Sequence, residues 1–176
     1  MTEHQKRAQY LFENGAHCAQ AAFAALCDQT GLREEDALAL SSCFGGGIGR
    51  MRETCGALSG MLMALGMTLG RYDVTAPDTK DRHYRLTQYA ALRFRQETGS
   101  LFCYELLSIP HAVEIPVSAP RNEHFFKTRP CERVILAAVA IFDELMQAQK
   151  DGTLEQLITP ACAEQTTRLL NQKNEN

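Results

Sequence analysis

The chain has 176 residues, of which 45% are hydrophobic, so it is long enough for one domain with a buried core. Its formal net charge is -3 and its lysines and arginines are scattered, so nucleic-acid binding is not expected. Seven cysteines are an odd number, which favours metal ligands, redox centres or buried thiols over a framework of structural disulfides.

The N-terminal third of the sequence has helical spacing throughout. MTEHQKRAQYLFENG is polar and lacks the apolar core of a signal peptide, so a cytoplasmic location is expected. The spacing predicts a helix from Glu3 to Glu13, capped by Thr2 and stopped at Asn14-Gly15. HCAQAAFAALCDQT predicts a second helix that ends at Gly31, and LREEDALALSSC predicts a third with acids in its first turn.

A glycine-rich turn with a cysteine on each side follows, in SSCFGGGIGRMRETCGALSG over residues 41–60. It lacks the lysine and the hydroxyl residue of a P-loop, and no strand precedes it as a dinucleotide fold requires. Free N–H groups of the next helix, beside Arg50 and Arg52, could bind an anionic cofactor. The alternative is that the glycines only make the turn and the arginines cap carbonyls or face water.

The stretch CGALSGMLMALGMTLG has no charge and predicts a fourth helix over about residues 54–69. It falls short of the roughly 20 apolar residues that a bilayer requires, so no membrane span is expected. Gly56 with Gly60, and Gly66 with Gly70, are spaced to place glycines on one helix face for close packing. We therefore expect this glycine-rich helix to be the buried centre of the fold and its most buried element.

The rest of the chain continues the helical pattern. A long amphipathic helix is predicted from a cap at Asp78 to Gly99, and a short one in SLFCYELL with Ser100 as its cap. Residues 108–130 hold four prolines and predict a surface excursion or a lid. A helix behind Pro130 and a last one over about 154–170 complete an all-α, single-domain bundle over residues 1–170, with a disordered tail at 171–176.

Three cysteines are predicted at helix N-termini, namely Cys55, Cys103 and Cys131. The helix dipole and the unpaired N–H groups stabilise a thiolate there and lower its pKa, as both a nucleophile and a metal ligand require. Cys43 lies across the glycine turn from Cys55, so the bend could return it to that partner. The alternative for any one cysteine is that it packs as a small hydrophobic residue.

The other cysteines have fewer companion features. Cys18 lies in an early helical turn beside His17, whereas Cys27 and Cys162 are assigned to packing. No C-x-x-C occurs, so neither a thioredoxin motif nor a zinc knuckle is supported, and without C-x-x-C-H no c-type haem is expected. No E-x-x-H occurs either, so a di-iron bundle is not indicated.

The segment CGALSG, from Cys55 to Gly60, resembles the C-G-A-x-x-G motif of the redox-active protein family labelled C_GCAxxG_C_C. GAHCAQA, FGGGIGR, GSLFCYELL and RPCERV agree with it, so the resemblance spans about residues 8–145. The chain departs from the label at Thr54, where the label has glycine, and adds Cys27 and Cys162. The resemblance implies a small, largely helical prokaryotic protein, often encoded near transporter genes, with a helical module similar to that of split-Soret cytochromes, which carry haem and an iron–sulfur centre.

Three functions stay open on this sequence. The first is a redox-active protein with an iron–sulfur or zinc site, whose candidate ligands are Cys43, Cys55, Cys103 and Cys131, with Cys18 as a spare or alternative. The second is a metal-free thiol redox protein, with Cys55 as catalytic nucleophile and Cys43 as resolving thiol. The third is a helical binding or assembly module. The electron or thiol partner, enzymatic activity and assembly into a homo-oligomer are left open.

Overall fold

The computed structural model describes residues 1–70 and 72–172. In these ranges the chain is all-α, as predicted, and the β-structure consists of one isolated antiparallel bridge between Thr54 and Phe102. Of the tail predicted to be disordered, residues 171–176, Asn171 is the last residue of α11 and Gln172 its C-cap, and positions 173–176 lie outside the described residues. The α-helices are α1 (Glu3–Glu13), α2 (Cys18–Ala24), α3 (Cys27–Thr30), α4 (Glu34–Leu40), α5 (Gly56–Leu69), α6 (Pro77–Thr98), α7 (Cys103–Leu106), α8 (Glu123–Thr128), α9 (Cys131–Lys150), α10 (Leu154–Leu157) and α11 (Pro160–Asn171), and the 3-10 helix is Ser42–Phe44.

Capping residues, prolines and local breaks in the backbone determine most helix ends. Helix α1 has the predicted bounds, because Thr2 and Gln5 form a capping box at its start. The second predicted helix is broken into α2 and α3 at Leu26, whose φ of -107° and ψ of 17° depart from helical values. The last predicted helix is likewise two helices, since Pro160 begins α11 behind the cap residue Thr159.

Two predicted caps are each displaced by two residues. Helix α6 begins at Pro77, so Asp78 lies in its first turn and is not its cap. Ser100 does not cap α7, which begins at Cys103 behind Phe102; its hydroxyl instead accepts a hydrogen bond from the Phe102 N–H at 3.0 Å. The four-proline segment is irregular apart from α8.

The core is built where α2, α5 and α9 pack together. Five of the seven residues of α2 are buried, compared with seven of the 14 in α5, so α2 and not α5 has the larger buried share. The two helices can approach closely because Gly60 has no side chain: a Cβ at this position would lie 2.6 Å from the Ala19 carbonyl oxygen. No helix within residues 1–70 and 72–172 has the length and apolar character needed to cross a membrane.

The tight contact between α2 and α5 predicts opposite effects at two glycines of the same helix. Gly60→Ala should lower the free energy of unfolding by about 1–3 kcal/mol, because the added methyl overlaps the α2 backbone. Gly66→Ala is the matched control: no atom lies within 4 Å of its added methyl, and the better helix former should raise stability by up to about 1 kcal/mol. Urea denaturation measures both, and equal effects at the two positions would contradict the predicted packing.

Candidate cysteine site

A cavity of about 390 Å³ lies among the N-terminal ends of several helices. Cys18, Cys103 and Cys131 line it, and a deeper void of about 20 Å³ is lined by the same three cysteines together with Cys55. We call the two together the cysteine cavity. The exposed residues Gly49 and Ser118 also line the larger part, so solvent reaches it.

Each of the four cysteines stands at the beginning of a helix. Cys18, Cys103 and Cys131 are the first residues of α2, α7 and α9, and Cys55 is the N-cap of α5. The thiols therefore lie where backbone N–H groups and the helix dipole favour negative charge. The predicted helix-start placement of Cys55, Cys103 and Cys131 is confirmed, and Cys18 shares it.

A short antiparallel contact fixes Cys55 beside the segment that carries Cys103. The Cys55 N–H donates to the Leu101 carbonyl at 2.8 Å, and the Cys103 N–H donates to the Glu53 carbonyl at 2.7 Å. The glycine turn packs directly against this contact. A Cβ at Gly47 would lie 2.6 Å from the Cβ of Cys103, so there is no room for a side chain. Gly47 also has a φ of +68°, so both its space and its backbone conformation require glycine.

Cys18 and Cys131 form a thiol pair. A side-chain hydrogen bond from Cys18 is the largest cause that lowers the pKa of Cys131, to about 7, against the opposing effect of burial. The positive charges of Arg129, Arg52 and Arg121 lower it further. The pKa of Cys18 is correspondingly raised well above its ordinary value by its contact with Cys131 and by burial. Of the two thiols, Cys131 is therefore the one that ionises first, near neutral pH, while Cys18 keeps its proton.

The other two thiols are held neutral. Burial raises the pKa of Cys55 to about 12, although backbone hydrogen bonds from Ala57 and Leu58 oppose this. Burial also raises the pKa of Cys103, despite a hydrogen bond from the Arg52 guanidinium at 3.7 Å. The shift at Cys55 is opposite to the one expected from its helix N-terminus, because removal from water outweighs the dipole there.

Arg52 is the buried charge beside the cavity, with 1% of its surface exposed. Its Nε donates to Glu114 Oε1 at 2.9 Å and its second guanidinium nitrogen donates to Oε2 at 2.5 Å. Arg50 pairs with the same carboxylate and donates from Nε to the Ile115 carbonyl at 3.0 Å. These bonds hold the irregular segment of residues 109–121, which we call the strap, against the glycine turn.

The other end of the strap is fixed by Arg121. Its guanidinium donates to the backbone carbonyls of Phe12 and Ala16, the latter at 2.7 Å, and stands 4.8 Å from the centre of the Phe12 ring. Arg129 lies 4.9 Å from the centre of the Phe125 ring. Arg50, Arg52, Arg121 and Arg129 all line the cysteine cavity.

The structure does not bring Cys43 to the other cysteines. Its side chain is exposed, lines neither part of the cavity, and is accompanied by the Ser42 hydroxyl at 4.0 Å. The reason is local: residues 42–44 form a 3-10 turn, and the left-handed turn behind it binds the Cys43 carbonyl through the Gly49 N–H. The expected convergence of Cys43 with Cys55 is therefore replaced by that of Cys18 with Cys131.

Of the remaining predicted residues, some line the cavity and others lie apart from it. Arg50 and Arg52 line the cavity, as an anion site would require, but both are occupied by Glu114. Cys27 packs against the core, and Cys162 hydrogen-bonds to the Gln156 carbonyl at 3.5 Å; both lie apart from the cavity, as predicted.

His17 lines the cavity in a structural role. It is the N-cap of α2, where Nδ1 accepts from the Gln20 N–H at 3.4 Å and Nε2 donates to the Ser42 carbonyl at 3.0 Å. Burial lowers the pKa of His17 and keeps the ring neutral at physiological pH.

Sequence reasoning missed Glu114, Arg121 and Arg129. The first two lie in the irregular segment, where no periodicity reports which side chain turns inward. Arg129 did have a signal, because a guanidinium two residues before a cysteine that begins a helix adds to the positive dipole end at that cysteine.

An all-α fold whose helix N-termini carry four cysteines around one cavity defines a helical cysteine-cluster protein. The chain matches, over residues 16–145, the family described as "Putative redox-active protein (C_GCAxxG_C_C)". The match covers most of the chain, which therefore belongs to this family. No curated protein and no solved structure matches the chain.

The hydrogen bond between Cys18 and Cys131 predicts how alkylation depends on pH. In reduced, chelator-treated protein, Cys131 should react with iodoacetamide with a midpoint near pH 7, because the thiolate is the reactive form and is lost as the pH falls through the pKa. Cys18→Ala removes the largest cause of the lowered pKa, so the midpoint should move to higher pH. Peptide mass spectrometry reads each cysteine, with Cys162→Ser as the control. An unchanged midpoint in Cys18→Ala would contradict the pairing.

Proposed function

We propose that this protein is a metal-free dithiol redox protein in which Cys131 is the nucleophile and Cys18 the resolving thiol. The observation that carries the proposal is the thiol pair: Cys18 and Cys131 line both parts of a cavity that solvent reaches, and their interaction lowers the pKa of Cys131 and raises that of Cys18. With its pKa at about 7, Cys131 is substantially a thiolate at neutral pH. A thiol whose pKa lies near the ambient pH is close to the optimum for attack on a disulfide.

The reaction is a two-step thiol–disulfide exchange. The Cys131 thiolate attacks one sulfur of a disulfide substrate, and the other half of the substrate leaves as a thiolate that takes up a proton. Cys18 then loses its proton and attacks the Cys131 sulfur, which releases the second half as a thiol and leaves a Cys18–Cys131 disulfide. Two electrons pass from the protein dithiol to the substrate, and the reverse sequence reduces the protein again.

The two roles follow from the surroundings of the two sulfurs. Cys131 lies beside the guanidiniums of Arg129, Arg52 and Arg121, which stabilise its negative charge. Cys18 is held as the neutral partner, because burial and the adjacent thiolate both raise its pKa. A neutral thiol that contacts the attacking sulfur is placed to act in the second step once Cys131 has lost its charge.

Removing the resolving thiol should arrest the exchange after its first step. With bis(2-hydroxyethyl) disulfide, Cys18→Ser should accumulate a mixed disulfide on Cys131, because the attack that displaces the second half is lost. The wild-type protein should pass on to the intramolecular disulfide, and so should the control Cys162→Ser. Intact and peptide mass spectrometry identify the products. A mixed disulfide that forms on Cys55, or on no cysteine of the cavity, would overturn the proposal.

A second candidate is a metal centre, favoured by the deeper void. Four thiols surround about 20 Å³ there, which is room for one water-sized body, and four cysteine sulfurs are the donor set of a zinc ion or an iron–sulfur cluster. In the described ranges no three His, Cys, Asp or Glu side chains are grouped closely enough to hold an ion. The donors suit such a centre in their chemistry, whereas their spacing does not fit it without movement of the sulfurs.

Cys55 distinguishes this second candidate, because the dithiol exchange does not use it. A zinc centre would bind one equivalent of Zn²⁺ in anaerobically reduced protein, and Cys55→Ser would lose it while Cys27→Ser would keep it. The same comparison after reconstitution with iron and sulfide covers a cluster, read by absorption and iron content. Equal metal binding in the two variants would show that Cys55 is not a ligand and remove the four-cysteine centre as a candidate, and circular dichroism confirms that both are folded.

A further inference from the structure

The positive charge around the cysteine cavity exceeds the negative charge that faces it. Of the four lining arginines, Arg50 and Arg52 share the Glu114 carboxylate. Arg121 instead donates to neutral backbone carbonyls, and Arg129 faces an aromatic ring. Neither of these two forms an ion pair with any residue in the described parts of the chain. Two guanidiniums therefore have no carboxylate in contact with them, although the charge of Arg129 also contributes to the lowered pKa of Glu114.

These two charges lie beside the reactive sulfur. Both lower the pKa of Cys131 through their charge. Burial lowers the pKa of Arg121, as expected for a cation removed from water without a carboxylate to compensate it. A planar guanidinium in a partly desolvated cavity binds a carboxylate through two parallel hydrogen bonds and gains more from it than it would in water.

We propose that the substrate of this site is a small disulfide that carries carboxylate groups, bound by Arg129 and Arg121 while Cys131 attacks its sulfur. The inference rests on the proposed dithiol function and adds the chemical class of the substrate. The cavity volume of about 390 Å³ suits a small molecule of this kind. Leu107 and Pro116, which also line the cavity, offer an apolar surface for the carbon chain that joins each carboxylate to its sulfur.

The exchange balances for this substrate as it does for any disulfide. Cys131 forms a bond to one substrate sulfur while the substrate S–S bond breaks, and Cys18 then displaces the second half. The products are two molecules of a carboxylate-bearing thiol and the Cys18–Cys131 disulfide. The substrate is the oxidant: the protein pair supplies both electrons and the Cys18 proton, and water supplies the proton that the first leaving thiolate takes up.

Three disulfides that differ mainly in charge test the inference: 3,3′-dithiodipropionate is anionic, bis(2-hydroxyethyl) disulfide is neutral and cystamine is cationic. For each disulfide, the rate of reaction with Cys131 is divided by the rate of the same disulfide with a small reference thiol. This ratio removes differences in reactivity that come from the leaving groups. The wild-type protein should prefer the anionic over the cationic probe on the order of tenfold at low salt, and the preference should shrink as salt is added.

Variants assign the preference to the arginine. Arg129→Gln should lower it several-fold, whereas Arg129→Lys, which keeps the charge, should retain most of it. Arg168→Gln removes an exposed arginine of α11 that does not line the cavity, and should leave the preference unchanged. Equal normalised rates for the three probes would overturn the substrate class and leave the dithiol function intact. Failure of Cys131 to react with any probe would overturn the dithiol function itself.

Discussion

The ion pair between Arg52 and Glu114 is the interaction on which the cavity depends. Arg52 is buried almost completely, so its charge requires a partner, and Glu114 supplies one from a segment far along the chain. The same guanidinium hydrogen-bonds to the Cys103 sulfur. One buried charge thus holds together the glycine turn, the strap and the start of α7. Removing the Glu114 carboxylate would leave that buried charge without its ion-pair partner, which is the costly way to break such a pair.

The four cysteines experience the same two forces in different proportions. Helix N-termini stabilise thiolates, and burial opposes them. At Cys55 burial dominates, and the pKa rises to about 12. At Cys131 the hydrogen bond from Cys18 and three guanidiniums dominate, and the pKa falls to about 7. The cysteines of one cluster therefore differ in pKa, and this difference lets one sulfur attack as a thiolate while its neighbour stays protonated.

The features that could be predicted from the sequence are the ones set by capping residues and prolines close to them in the chain. The Thr2 cap of α1, the start of α9 behind Pro130 and the helix-start positions of Cys55, Cys103 and Cys131 all follow from neighbouring residues. The pair of Cys18 with Cys131 does not, because packing of α2 and α9 brings together residues from opposite ends of the chain. The prediction for Cys43 is wrong for a different, local reason, since nearness in sequence does not determine which way a tight turn directs a side chain.

The separation of Cys18 and Cys131 along the chain links redox state to folding stability. A disulfide between them would close a loop that contains more than half of the protein. Closing a loop of that size restricts the unfolded chain and stabilises the folded state by about 4–5 kcal/mol. By thermodynamic linkage the folded protein then favours the disulfide by the same amount, so native packing makes the thiol pair a stronger reductant than it is in the unfolded chain. The oxidised and reduced forms would accordingly differ in their resistance to heat and proteolysis as well as in their chemistry.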